Sequence, residues 1–235
     1  MTDEQQHTGV TLGIEMSNPT SDARDAEPAH AIALWAQDKT LIGSIAMPKG
    51  TRGSDGVIAA VDALCAQHDV RPTDLACIIV SIGPGGYTAL RIATTTAKML
   101  AFSLGAQLIA VPTARVAACA VDADSFPAIV GLASKKQHTH ATRVHADGTY
   151  ESIGIIEAQQ LEALGVRALV ADDHLPQPLR DHAQQLGLSV LPIVLDARNL
   201  LEASTGIDPI QPELLAPMYA REPDAVTQWR ARSSG

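Results

Sequence analysis

Aromatic residues are scarce: two Phe, two Trp and three Tyr make up 3% of 235 residues. A core with so few rings must be built from Ala, Val, Ile and Leu, and its alanine-rich helices pack closely. Cysteine is equally sparse. Cys65, Cys77 and Cys119 are odd in number, far apart and set in no CxxC or Cys/His spacing. That pattern argues against a disulfide framework and a structural zinc site. Positive charge is short as well: 17 Lys and Arg face 26 Asp and Glu, for a net charge of -9. A protein that grips nucleic acid alone clusters its basic residues against the phosphates. Here Arg221, Arg230 and Arg232 form only a modest basic tail, so any nucleic-acid chemistry is expected to rely on another chain to hold the nucleic acid. No apolar run reaches membrane-spanning length, and residues 1–9 carry no signal-peptide core, which leads us to expect a cytoplasmic protein with no membrane contact.

What is present is a folded composition, 46% hydrophobic and 18% charged. Short apolar runs at 10–15, 30–36 and 41–46 predict an antiparallel meander, interrupted by a Pro/Asp/Ser-rich loop over 18–29. Residues 57–68 carry apolar positions at helical spacing. The continuous run LACIIVSI at 75–82 predicts a central strand covered on both faces. A long helix follows over 88–104, stopped by Gly105, then a strand at 108–111 and a helix at 114–121. After Asp122 the pattern restarts. Strands are predicted at 128–133, 139–145, 153–156, 168–171 and 190–194, with helices at 158–164, 179–186 and 197–204. Two successive strand-then-helix blocks predict an α/β fold of two lobes, 1–122 and 123–235, each a mixed sheet flanked by helices.

The most informative segment is SIGPGGYTALRIATTTAKMLAFSL, residues 81–104. It reads as a buried strand, a Gly-rich turn and a long helix. Gly83, Gly85, Gly86, Tyr87 and Thr88 are candidate contacts for a nucleotide or another anion, because amides at a helix start point outward and the dipole favours negative charge. The turn has neither the Gly-Lys-Ser/Thr of a Walker A loop nor a GxGxxG pattern. A tight turn that lets the helix pack on the sheet remains the plainer reading. On the helix, Leu90, Ala93, Ala97, Leu100, Ala101 and Leu104 form one stripe, with Ile92, Met99 and Phe102 off it. A helix apolar around so much of its circumference has one face for the sheet and another for a second helix. Val57, Ile58, Val61 and Leu64 of the earlier helix, with Leu90, Arg91, Ile92, Ala97 and Leu100, form the candidate interface. On this reading Leu90→Asp or Leu100→Asp weakens association.

Residues 83–92, GPGGYTALRI, resemble the GPGSFTGLRIG signature of the TsaB (YeaZ) family, and Ala97-Lys98, Leu104-Gly105 and 108–113 continue the match. Near the end, PMYAREPDAV at 217–226 resembles that family's P-x-Y-L-R-x-P-x-A-V close. The resemblance implies the two-lobed actin-like ATPase (ribonuclease H-like) fold. It also implies a non-catalytic dimerisation partner of the catalytic paralogue TsaD in tRNA N6-threonylcarbamoyladenosine modification. TsaC-type enzymes supply the activated group and a TsaE-like ATPase joins the assembly. The first-lobe helices make the dimer interface, which a homodimer would share, and ATP or ADP would sit at the complex interface. No cofactor is required by this chain alone.

Several departures from related chemistry support a non-catalytic subunit. TsaD-like proteins carry an NHxxGH-type metal pair after the strand matching 108–111; here the aligned residues are Thr113 and Ala117, so no metal site and no catalytic residue is assigned. The first phosphate loop is replaced by Glu15-Met16-Ser17-Asn18-Pro19-Thr20, and the second lobe's usual aspartate-arginine pair is not evident in 131–136. His138 and His140 share one face of a strand with His145 nearby, a cluster that is more often incidental than a metal site. The competing reading is a small-molecule kinase or ATPase on the same fold, which needs a working acid and phosphate loop in each lobe. A protease is weaker still, since no HExxH is present.

Overall fold

The computed structural model describes residues 9–17, 30–47 and 54–221. The expected loop at 18–29, Arg230 and Arg232 of the basic tail, and the terminal signature beyond Arg221 lie outside the described residues.

Two five-stranded mixed sheets form the two lobes. The first contains β1 (Val10–Glu15), β2 (Ala31–Trp35), β3 (Leu41–Ala46), β4 (Leu75–Gly83) and β5 (Gln107–Pro112), in the order β3-β2-β1-β4-β5. β1 to β3 form the antiparallel meander, while β4 runs parallel to both β1 and β5. This central position accounts for β4's unbroken apolar run, because both of its faces are covered. α1 (Ser54–Gln67) and α2 (Tyr87–Leu104) pack on one face, closing a core of Leu12, Ile14, Ile78, Val80, Val57, Leu64, Ala93 and Ala97. α2 stops at Gly105, which adopts φ 65°, a left-handed conformation glycine enters without a Cβ clash.

The second sheet contains β6 (Ala128–Lys135), β7 (His138–Val144), β8 (Tyr150–Ile156), β9 (Ala168–Ala171) and β10 (Ser189–Pro192), in the order β10-β9-β6-β7-β8. Counted from its own first strand, this order matches that of the first sheet, so the restart read in the sequence is a repeated topology. α3 (Thr113–Ala118) links the sheets, and α4 (Gln177–Gln185) covers the second one.

Three expected helices differ from the structure. The segment predicted as a helix over 158–164 is two 3₁₀ turns, Ala158–Gln160 and Glu162–Leu164, ended by Gly165 at φ 60°. Glu157 and Gln160 cap the first turn reciprocally, and so short a piece gains too few hydrogen bonds to sustain an α-helix. Residues 197–204 begin as a 3₁₀ turn, Ala197–Asn199, before the short α5 (Leu200–Ala203). The helix predicted at 114–121 ends at Ala118, where the amides of Ala120 and Val121 bond three residues back.

The chain then returns to the first lobe. Ala197, Leu200 and Ala203 pack with Ala33, Trp35, Ile79 and Val111 on the sheet face opposite α1 and α2. Beyond them Ile210 N–H donates to Leu108 O at 2.8 Å and Met218 N–H to Ile82 O at 2.6 Å. Residues 197–218 therefore strap the first sheet, although they follow the second in sequence.

Candidate functional site

The Gly-rich turn sits where the ends of β1 and β4 meet. Ser17 O accepts the Gly86 N–H at 3.0 Å, and a Cβ on Gly85 would lie 2.0 Å from that same oxygen. Gly85 is required here for close approach. Gly83 N–H donates to Thr113 Oγ1 at 3.1 Å, and the backbone O of Met218 presses on Gly83 at φ 105°. Of the five candidate anion contacts, Gly83 and Gly86 have thus committed their amides to protein oxygens. Tyr87 and Thr88 lie exposed at the start of α2.

Glu15 stands beside this turn and is fully buried. Its Oε1 accepts the Ser17 N–H at 2.7 Å and also the Ser17 hydroxyl. Oε2 has no hydrogen-bond partner; the nearby Ser81 Oγ, itself unbonded, is close enough to influence the carboxyl. Burial pushes the Glu15 pKa above its ordinary value, against the lowering effect of the Ser17 and Ser81 groups. A raised folded pKa contributes stability that is full below the unfolded value and is lost as pH rises through the folded one. Glu15→Gln keeps an acceptor for Ser17 and supplies an N–H toward Ser81. Thermal melts are expected to show the variant more stable than the parent at pH 7, by about 1–3 kcal/mol, with the gap shrinking toward pH 4. A variant that is less stable at pH 7 than at pH 4, relative to the parent, would contradict this account.

The candidate interface residues separate into two groups. Val57, Val61, Leu64, Leu90 and Ala97 are buried in their own chain's core, Leu90 with 0% exposure. They hold α1 and α2 to the sheet and have no surface to offer a partner, so Leu90→Asp would report on folding. Ile58 and Arg91 are exposed, and Ile92 and Leu100 half-buried. The outer face also carries Tyr87, Met99 at 56% and Phe102 at 69% exposure. Arg91 lies over the Tyr87 ring at 5.5 Å, and Tyr219 stacks on that ring with centroids 4.8 Å apart. Tyr87, Thr88, Arg91, Ile92 and Thr95 line a shallow groove of about 310 Å³. The stacking of Tyr219, a residue of the terminal signature, on Tyr87 and the Ser17–Gly85 contact both escaped sequence reasoning. Each depends on segments distant in sequence, and no local spacing announces them.

Thr113 and Ala117 are both fully buried. The Thr113 hydroxyl ties α3 to the Gly-rich turn, while Ala117 packs between the lobes with Ala128, Val130 and Val144. Among the described residues, no three His, Cys, Asp or Glu side chains gather closely enough to hold a metal ion. His138 Nδ1 lies 3.4 Å from Glu157, an ion-pair distance without hydrogen-bond geometry. His140 is buried, and burial together with nearby Arg221 holds its pKa below the usual histidine range. In the second lobe, at the segment 131–136 that lacks an evident aspartate-arginine pair, Arg221 Nη1 donates to Ala133 O at 3.0 Å. No helix among the described residues is long and apolar enough to cross a membrane.

Comparison with known proteins bears on the same elements. Residues 54–224 match a family model described as TsaD: tRNA N6-adenosine threonylcarbamoyltransferase. The tRNA threonylcarbamoyladenosine biosynthesis protein TsaB of Bacillus subtilis (strain 168) is 38% identical over 100 residues, covering 43% of this chain and 39% of that relative. The aligned stretch thus spans well under half the length of that curated relative. Among solved structures, a Pseudomonas aeruginosa protein with similarity to peptidase YEAZ superposes with a TM-score of 0.66 at 16% identity, covering 91% of this chain and 100% of that one. YeaZ from Pseudomonas aeruginosa gives 0.64 at 15% identity, over 90% and 100%. At such identities these structures speak to the fold, the two-lobed actin-like architecture with its paired mixed sheets. The family model spans well over half of the chain, which therefore belongs to the family it describes, TsaD: tRNA N6-adenosine threonylcarbamoyltransferase, with its likeness on the TsaB (YeaZ) side.

Proposed function

We propose that this chain serves tRNA threonylcarbamoyladenosine biosynthesis in the cytoplasm as the non-catalytic dimerisation partner of a TsaD-type paralogue. The observation that carries this reading is the exposure of four large apolar side chains on the two packed helices, Ile58 of α1 and Tyr87, Met99 and Phe102 of α2. Large apolar side chains on two packed helices are costly to leave in water and favour a partner surface. Buried Thr113 and Ala117, neither able to ligate a metal as a His pair would, support a supporting role. With a net charge of -9, the chain leaves the tRNA to the rest of the complex. A homodimer through the same helices would be isologous and would compete with the TsaD-type chain for one face. A TsaE-like ATPase completes the assembly. This chain needs no cofactor of its own, and ATP or ADP belongs at the interface of the complex.

The test is co-purification with the same organism's TsaD, with and without ATP, read by complex size and by threonylcarbamoylation of tRNA. The expected result is a stable pair, with tRNA modified by the complete system and not when this chain is omitted. ATP hydrolysis by this chain alone, or a chain that stays monomeric beside TsaD, would sink the proposal and favour the kinase-like alternative.

A further inference from the structure

A second cavity lies away from the Gly-rich turn, between α3, the β7–β8 turn and α5. It measures about 450 Å³, within the range of small-molecule sites. Val121, Phe126, Val144 and Ala203 supply apolar wall, and the charged groups are unevenly engaged. Arg115 enters from α3. Its Nη2 donates to Thr205 O at 2.7 Å, and its guanidinium lies 5.8 Å from the centre of the Tyr150 ring. These contacts fix the group in place without neutralising it, since among the described residues no carboxylate pairs with it. Asp147 is already engaged by the backbone N–H and hydroxyl of Thr149. Glu202 is the other acid on the wall; it is exposed and also without an ion-pair partner among the described residues. Arg115, Cys119 and Glu202 line the same cavity, and both charges act on the Cys119 thiol. Burial chiefly pushes that thiol up to about 11, with Glu202 raising it further and Arg115 opposing.

A guanidinium and an unpaired carboxylate lining one cavity with apolar wall suit a ligand carrying both opposite charges. We infer that this interlobe cavity binds a small zwitterion of the α-amino acid class, its carboxylate on Arg115 and its ammonium on Glu202. A guanidinium with donors to spare recognises a carboxylate through charge-assisted hydrogen bonds, and Glu202 accepts from the ammonium. The apolar wall receives the side chain. A net-neutral ligand satisfies both protein charges at once, which a lone anion or a lone cation cannot do.

The test uses the full chain and three related compounds followed by amide NMR: L-valine, N-acetyl-L-valine, which lacks the ammonium, and isobutylamine, which lacks the carboxylate. L-valine is expected to shift the Ala118, Val144 and Ala203 amides saturably, with each single-charge analogue about tenfold weaker or worse. Glu202→Gln should remove the preference over N-acetyl-L-valine, and Arg115→Gln the preference over isobutylamine. Should the Arg115 variant fail to fold, the exposed Glu202 position and the compound series on the parent still decide. Equal binding by all three compounds, or no saturable shift with glycine, L-serine, L-valine or L-leucine, overturns the assignment.

Discussion

Leu90→Asp is expected to leave no stably folded chain, whereas Phe102→Asp leaves the fold intact and weakens association with a TsaD-type partner. The two side chains stand on one helix and differ in what covers them. Leu90 is sealed inside the first lobe, and Phe102 is 69% exposed. Removing a buried leucine costs about 2–5 kcal/mol, and an uncompensated buried carboxylate adds several kcal/mol more. Against a total folding stability of about 5–15 kcal/mol, that sum removes most or all of it. At position 102 the intrachain change is expected within about 0.5 kcal/mol. If Phe102 lies at the centre of the contact, a charge there costs roughly 2 kcal/mol or more of binding, about thirtyfold in Kd. Urea melts of each variant and a titration with the purified partner separate the cases. A Phe102→Asp chain that pairs as well as the parent would move the interface off α2.

The reach of sequence reasoning follows the range of the interactions involved. The β4–turn–α2 unit was legible because each part has a local cause: a doubly covered strand reads as one apolar run, and a helix stop reads as glycine. The duplication was legible because both sheets repeat one strand order. Helical periodicity marked 57–64 and 90–100 as apolar faces but could not say which of them the sheet would claim. Only the packing assigns Val57, Leu64, Leu90 and Ala97 to the core and leaves Ile58, Met99 and Phe102 outside. The short segments at 158–164 and 197–204 carried helical composition without the length that separates an α-helix from a 3₁₀ turn. The strap was beyond reach. Met218 meets Ile82, and Tyr219 meets Tyr87, across a stretch of chain whose local pattern says nothing about its destination.

Gly85→Ala decides between the two readings of the Gly-rich turn. As a tight packing turn, it has no room for a methyl group: the new Cβ would sit 2.0 Å from Ser17 O and 2.8 Å from Ser17 C. Both obstacles are backbone, so no rotamer change relieves them. The Ser17 carbonyl must move, and with it the Gly86 N–H bond and the Ser17 contacts that satisfy buried Glu15. Overpacking of this kind costs about 1–3 kcal/mol, and the lost hydrogen bond adds roughly 1 kcal/mol. For a chain of this size the expected fall in Tm is about 4–16 °C. Gly105→Ala is the control, because nothing lies within 4 Å of its Cβ and only the left-handed backbone is penalised, by about 1 kcal/mol. If the turn instead stands open as an anion cradle, Ser17 is not seated on it in solution. Gly85→Ala would then cost no more than Gly105→Ala, and phosphate would raise the parent's Tm in a way the variant lacks. A large loss at 85 with no phosphate response assigns the glycines to closure of β1 against α2, where the amides that could hold an anion already hold the protein.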